Sequence, residues 1–179
     1  MAKQVDTTYG NALFELAVEE TMLDSLYEEV NELVLILKDN EELIRLLNHP
    51  QIEKSEKKNL IERIFGKRVS DEITGLMIMV VEKGHITSIV DIFNYFIKQV
   101  KKAKNIGVAS VTSAIELTEA QKASVEKRLL ETTHYTSMEI DYKVDKSLIG
   151  GLVIRIEDRV VDSSIKTKLA GMSKALANA

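Results

Sequence analysis

The sequence predicts an α+β protein: an N-terminal six-helix bundle followed by a small α/β domain with a short sheet and a C-terminal helix. Two observations carry this. From Thr7 to about Lys104 the apolar residues recur at intervals of three and four, glycines are few, and the one proline, Pro50, falls in a break. After Asn105-Ile106-Gly107 the period drops to two, which sets the boundary between a first domain, residues 1–104, and a second, residues 105–179.

The helical pattern resolves into helices over residues 6–20, 23–39, 41–48, 54–65, 70–83 and 86–103. Breaks fall at Asn48-His49-Pro50, Phe65-Gly66 and Lys83-Gly84-His85, because glycine can take the left-handed cap and proline cannot continue a helix. The second domain opens with a strand over residues 108–114. Thr118 and Gln121 then form a T-x-x-Q capping box for a helix reaching about Thr132. Met138, Ile140, Tyr142 and Val144 alternate with Glu139, Asp141 and Lys143, predicting a strand with one buried and one wet face. LVIRI at 152–156 and Val160-Val161 pair as a hairpin around Glu157-Asp158-Arg159. Asp162, Ser163 or Ser164 caps a last helix whose Ile165, Leu169, Met172 and Leu176 form one stripe.

The fifth helix raises a question. Its segment ITGLMIMVV, residues 73–81, carries no charge in a chain in which 29% of residues are Asp, Glu, Lys or Arg. A bilayer span takes roughly 20 mostly apolar residues, and this run is flanked by Asp71, Glu72, Glu82 and Lys83. Its own fold or another protein must therefore cover it. The first helix raises the same question, since Tyr9, Ala12, Leu13, Phe14, Leu16, Ala17 and Val18 occupy well over half its circumference. Either both helices are central to the bundle, or adjacent parts of them frame a groove for a visiting helix. Small Gly10, Ala12 and Gly75 would permit close approach, and Met77 and Met79 would supply adaptable contacts.

Composition excludes several classes. With no cysteine there is no disulfide framework, thiol nucleophile or thiolate metal site. The N-terminus MAKQVDTTYG lacks the pattern of a secretory signal, so the mature chain is expected to begin here and stay inside the cell. A net charge of −4 argues against a general nucleic-acid binder. Lys98, Lys101, Lys102 and Lys104 read as a solvated helix end, where cations are favourable. His49, His85 and His134 sit singly near breaks, outside any ligand spacing. Gly150-Gly151 precedes a strand and lacks a phosphate-loop lysine, which makes it a turn or bulge. Asp145, Asp158 and Asp162 lie in turns, where aspartate bonds the backbone. The residues define no catalytic, cofactor or metal site, which turns attention to surfaces that bind protein.

Three stretches, in order, carry a family resemblance. IGGLVIRIEDRVVDSSIKTKL at 149–169 shows paired glycines, an apolar strand with an arginine, an aspartate turn and D-x-S opening a helix. Tyr9-Gly10-Asn11-Ala12-Leu13-Phe14 and Leu47-Asn48-His49-Pro50-Gln51-Ile52 are the other two. Together they resemble the delta subunit of bacterial F-type ATP synthase, counterpart of the mitochondrial oligomycin-sensitivity-conferring subunit, over essentially the whole chain. Glu157 and Ser163 depart from it, standing where the family often has glycine.

The resemblance implies a non-catalytic stator subunit without cofactors, one copy per hetero-oligomeric complex. It would sit peripherally at the cytoplasmic face of the cell membrane, without inserting, and link the catalytic head to the proton-translocating sector. In that family the first and fifth helices hold the N-terminal helix of an alpha subunit. By position, the candidate contacts are Tyr9, Ala12, Leu13, Leu16, Gly75, Met79 and Glu82. The second domain would hold the C-terminal end of the b subunits, with Val153, Ile165, Leu169 and Met172 as candidates that core packing explains equally well. The alternative function is a two-domain nucleic-acid-binding regulatory module using the lysine cluster. It is disfavoured by the acidic balance and by the lack of aromatic residues for stacking on the predicted strands.

Overall fold

A computed structural model describes residues 2–177. The fold is α+β, with eight α-helices and one four-stranded sheet among the described residues. The chain divides into two compact units, Met1–Lys101 and Lys102–Ala179.

The first unit contains α1 (Ala2–Glu19), α2 (Leu23–Asp39), α3 (Glu41–Asn48), α4 (Lys54–Phe65), α5 (Asp71–Glu82) and most of α6 (Ile89–Ala103). Helix α1 begins four residues ahead of the predicted start. The stretch 86–88, predicted as the start of the sixth helix, is instead a 3-10 turn. Gly84 just before it takes φ +75°, which lets the chain leave α5 as a left-handed cap. Leu26, Val30, Leu33 and Leu37 on α2 meet Ile73, Met77 and Val80 on α5 and Ile92, Phe93 and Phe96 on α6 in one continuous buried cluster. At roughly 1.5–3 kcal/mol per fully buried large apolar side chain, this cluster outweighs any surface ion pair in the unit.

The second unit is built on a sheet in the order β2-β1-β3-β4. Strand β1 (Ile106–Ser113) runs parallel to β2 (Ser137–Val144), and α7 (Glu119–Thr132) makes the crossover. Strand β3 (Leu152–Ile156) pairs antiparallel with β1 and with β4 (Arg159–Asp162). The predicted capping box is present: Gln121 N–H donates to Thr118 Oγ1, and Thr118 N–H donates to Gln121 Oε1 at 2.9 Å. Leu129, Val125 and Leu130 of α7 pack on Ala109, Met138, Ile140, Ile154 and Ile156. A Cβ at Gly107 would collide with Met138 Sδ and the Tyr135 ring, so the close packing there requires glycine.

Two details differ from the alternation reading. Val144 is exposed, although it alternates in phase with Met138 and Ile140. The β3–β4 turn consists of Glu157 and Asp158 alone, since Arg159 already pairs with Ile156 in the ladder. Glu157 adopts φ +48°, the left-handed region in which glycine is at ease. Helix α8 (Ile165–Ala177) closes the described chain.

Candidate partner-binding surfaces

The uncharged segment in α5 is mostly core. Ile73, Thr74, Leu76, Met77, Val80 and Val81 are buried over one broad arc. Gly75, Met79 and Glu82 are exposed along the opposite line, Met79 by 50%, and Ile78 is half-buried beside them. An apolar methionine is thus held at the surface while its neighbours satisfy the core. Nothing lies within 4 Å of the position a Cβ would take at Gly75. A partner backbone could approach α5 closely there.

Helix α1 lies against α5 and α2. Gly10, Leu13 and Ala17 face inward, with a Cβ at Gly10 only 2.5 Å from Tyr95 Cδ1 of α6. Of the predicted contacts, Leu13 is therefore a core residue. Tyr9 is half-buried, Ala12 is exposed and Leu16 is 36% exposed; at about 100° per residue the three occupy one flank of α1. Val18 is exposed on the other flank. The wide apolar arc on α1 is divided in this way between a small-residue contact inside and an apolar line outside.

In the second unit the stripe on α8 lies at the surface. Ile165, Leu169 and Met172 are 43%, 51% and 64% exposed, and Leu176 is exposed as well. Ile165 lies partly against Gly150, while Leu169 and Met172 stand mostly clear of the unit's buried residues. Val153 is half-buried on β3, opposite Thr112 of β1 and Asp162 of β4, on the sheet face away from α7.

Hydrogen bonds at the start of α8 fix its direction. Asp162 accepts the Ser164 N–H at 2.8 Å and the Thr167 hydroxyl at 2.7 Å, while Ser164 Oγ accepts the Thr167 N–H at 3.2 Å. These bonds, the Thr167 hydroxyl foremost, hold the Asp162 carboxyl below its ordinary range. Asp145 is likewise lowered, chiefly by the Ser147 N–H it accepts. Both carboxylates thus serve turns, as their sequence context indicated. Gly151, at φ +81°, passes so close to the Ser163 carbonyl that a Cβ would collide with it. Ser163 N–H and Oγ both donate to the Leu152 carbonyl at 2.9 Å. The paired glycines therefore let the start of α8 approach the head of β3.

Sequence reasoning passed over a further surface. A cleft of about 560 Å³ opens between α2, α3 and α4, lined among others by Glu29, Leu33, Ile36, Leu43, Phe65 and Arg68. A signal existed in LVLIL at 33–37: five consecutive apolar residues span the helix circumference, so some had to face outward, and Leu35 and Ile36 do. Among the described residues, no group of three or more His, Cys, Asp or Glu side chains is placed to hold a metal ion. No helix among them is long and apolar enough to cross a membrane.

The molecule is thus an α+β protein of two compact units, each with an apolar helix line at its surface. The sequence pattern of the family described as "ATP synthase delta (OSCP) subunit" matches residues 5–176. The ATP synthase subunit delta of Lachnoclostridium phytofermentans is 51% identical over 176 residues, 98% of this chain and 97% of that one. That of Desulforamulus reducens is 36% identical over 168 residues, 94% and 92% of the two chains. A chain in the cryo-EM structure of the Toxoplasma gondii mitochondrial ATP synthase hexamer shares the fold, with a TM-score of 0.73 over 96% of this chain and 97% of that one. At 16% identity that last likeness concerns the fold alone. The chain belongs to the ATP synthase delta (OSCP) subunit family. As such it is a subunit of the F-type ATP synthase and a component of its peripheral stalk.

Proposed function

We propose that this subunit ties the catalytic head to the membrane-fixed stator through two separate contacts, one on each unit. In this reading residues 1–104 act as a six-helix bundle whose α1 and α5 receive the N-terminal helix of an alpha subunit. Residues 105–179 receive the C-terminal ends of the b subunits. The observation that carries it is the pair of surface lines in the helical unit, Tyr9, Ala12 and Leu16 on α1 and Gly75 and Met79 on α5, in a chain of this family. An amphipathic helix seated on adjoining helices is held by apolar anchors at three- and four-residue spacing, and these lines have that spacing. Glu82 ends the α5 line with a charge suited to a rim. Leu13 supports the surface from beneath.

The role is mechanical and involves no chemical step. Rotation of the central shaft drags on the head, and a stator that holds the head still converts that drag into ATP synthesis. The contact must outlast many turns, which calls for slow dissociation; a nanomolar complex corresponds to about −12 kcal/mol. Engagement of one unit raises the effective concentration of the other's partner. The protein would act at the cytoplasmic face of the cell membrane without entering it.

Titration of the full chain with a synthetic alpha N-terminal helix, followed by amide NMR, tests this. Shifts confined to residues 9–20 and 73–83 are expected. Ala12→Asp puts a carboxylate at an exposed site and should abolish binding while the helical circular dichroism is unchanged. Loss of helix in that variant, or wild-type shifts centred on the α2–α4 cleft, would sink the assignment.

A further inference from the structure

The stripe on α8 has a finer pattern than amphipathicity. Ile165, Leu169, Met172 and Leu176 are spaced by four, three and four residues, the alternation of d and a positions in a heptad repeat. The apolar seam is accordingly narrow, the kind that meets one other helix edge to edge, and not the wider stripe of a helix lying on a core. On this register Lys166 falls at an e position and Lys168 at a g position, the two flanks of the seam, with Lys174 on the outer face. Helix α8 itself has no Asp or Glu. Lys166 acts electrostatically on Asp162 and Asp145, and both carboxylates already accept hydrogen bonds from Ser164, Thr167 and Ser147.

We infer that α8 is one strand of a short two-helix, coiled-coil-type contact whose partner is an amphipathic helix with Glu or Asp at the positions facing Lys166 and Lys168. The inference rests on the reading of the second unit as the stalk-binding unit, and it adds the chemistry of the partner. Opposite charges at flanking positions set partner choice in such pairs, and like charges disfavour it. In a second copy of α8 paired along the same seam, Lys168 or Lys166 would face Ser173, so self-pairing offers neither lysine a carboxylate. The described helix is about 20 Å long at 1.5 Å per residue, enough for the four seam residues and one pair of charged flanks.

The test uses the full chain and two three-heptad peptides with Leu at a and d, one carrying Glu and the other Lys at e and g. The Glu peptide should shift the amides of residues 165–176, and the Lys peptide should leave them unmoved. In the chain carrying Lys166→Glu and Lys168→Glu the preference should invert, the Glu peptide binding ~10-fold or more weaker. Equal response to both peptides, no response to either, or shifts outside α8 would overturn the inference. A parallel titration with the b subunit's C-terminal segment separates the two readings. If that segment binds the second unit but is indifferent to the double charge reversal, the stalk reading stands and the acidic-helix inference falls. If it binds nowhere on residues 105–179, the stalk reading itself falls.

Discussion

Gly10→Ala and Gly75→Ala make one chemical change at two helix positions and are expected to shift stability in opposite directions. Alanine is favoured over glycine inside a helix by about 1 kcal/mol. At Gly75 the new Cβ meets nothing within 4 Å, so that gain is fully realised. The first unit should gain about 1 kcal/mol, a rise of about 4–8 °C in Tm for a unit of this size. At Gly10 the new Cβ would stand 2.5 Å from Tyr95 Cδ1 and 3.2 Å from the Ile92 carbonyl oxygen. Tyr95 is held by the Gln99 amide, which donates to its hydroxyl at 2.6 Å and to Asn11 Oδ1 at 3.2 Å. The Ile92 oxygen belongs to the backbone of α6, so α1 itself must give way. Overpacking of this kind costs about 1–3 kcal/mol, which more than offsets the helix gain and leaves a net loss of about 1 kcal/mol. Denaturant unfolding monitored by helical circular dichroism measures both. If Gly75→Ala were neutral or destabilising, the outer face of α5 would have to be covered in the free chain. Stabilisation of equal size at Gly10 would mean that Tyr95 swings aside freely, and the close α1–α6 approach would lose its stated cause.

Other consequences are local. Thr118→Ala removes the hydroxyl that accepts the Gln121 N–H and should destabilise the second unit by about 1 kcal/mol; an unchanged unfolding midpoint for that unit would contradict the capping role. Asp162 is lowered in the folded chain, so its contribution is present above its unfolded value near 3.8 and is lost as pH falls through the folded value. The Ser164 and Thr167 amides should hold steady down to pH 4 and move only below it in an NMR titration, and a midpoint above 3.8 would reverse the sign. Ile149 takes φ +65° and ψ −41° while 64% exposed, a conformation rare for a β-branched residue. Ile149→Gly should therefore stabilise the second unit, by about 1 kcal/mol; a loss on denaturant unfolding would show that the side chain packs more than its exposure indicates.

Periodicity made the helices legible because a buried stripe must repeat with the turn of the helix. The stripe at 26, 30, 33 and 37 lies in the core as its spacing implies. The capping box at Thr118 was equally legible, since both partners are local in sequence. The 3-10 turn at 86–88 was not, because its apolar Ile86 fits a helix pattern and the geometry is set by the left-handed exit at Gly84. Periodicity also cannot say what covers a face. Leu13 and Leu16 look alike in sequence, yet one is buried and the other lies on the flank. The α8 stripe likewise leaves core and partner open in sequence, and the fold divides it: Ile165 lies partly against Gly150, while Leu169, Met172 and Leu176 are exposed.

That contrast has an energetic side. Twenty-two buried apolar residues form the single cluster of the first unit, whereas Ala109, Val111, Ala114, Leu129, Met138 and Leu148 are the buried apolar residues of the second among those described. Conformational entropy opposes folding at about 1–2 kcal/mol per residue in either unit, so the smaller core leaves the thinner margin. A partner that covers the α8 stripe binds only the folded form and stabilises it by mass action, about 2.7 kcal/mol at a hundredfold excess over Kd. In the free chain the amides of β1–β3 should therefore exchange with solvent faster than those of α2, α5 and α6. Saturation with the stalk partner should slow exchange in the second unit and leave the first unchanged. Equal protection of the two units in the free chain would show that the sheet's own hydrogen bonding and the α7 contact suffice, and that the exposed seam on α8 leaves the unit no less stable.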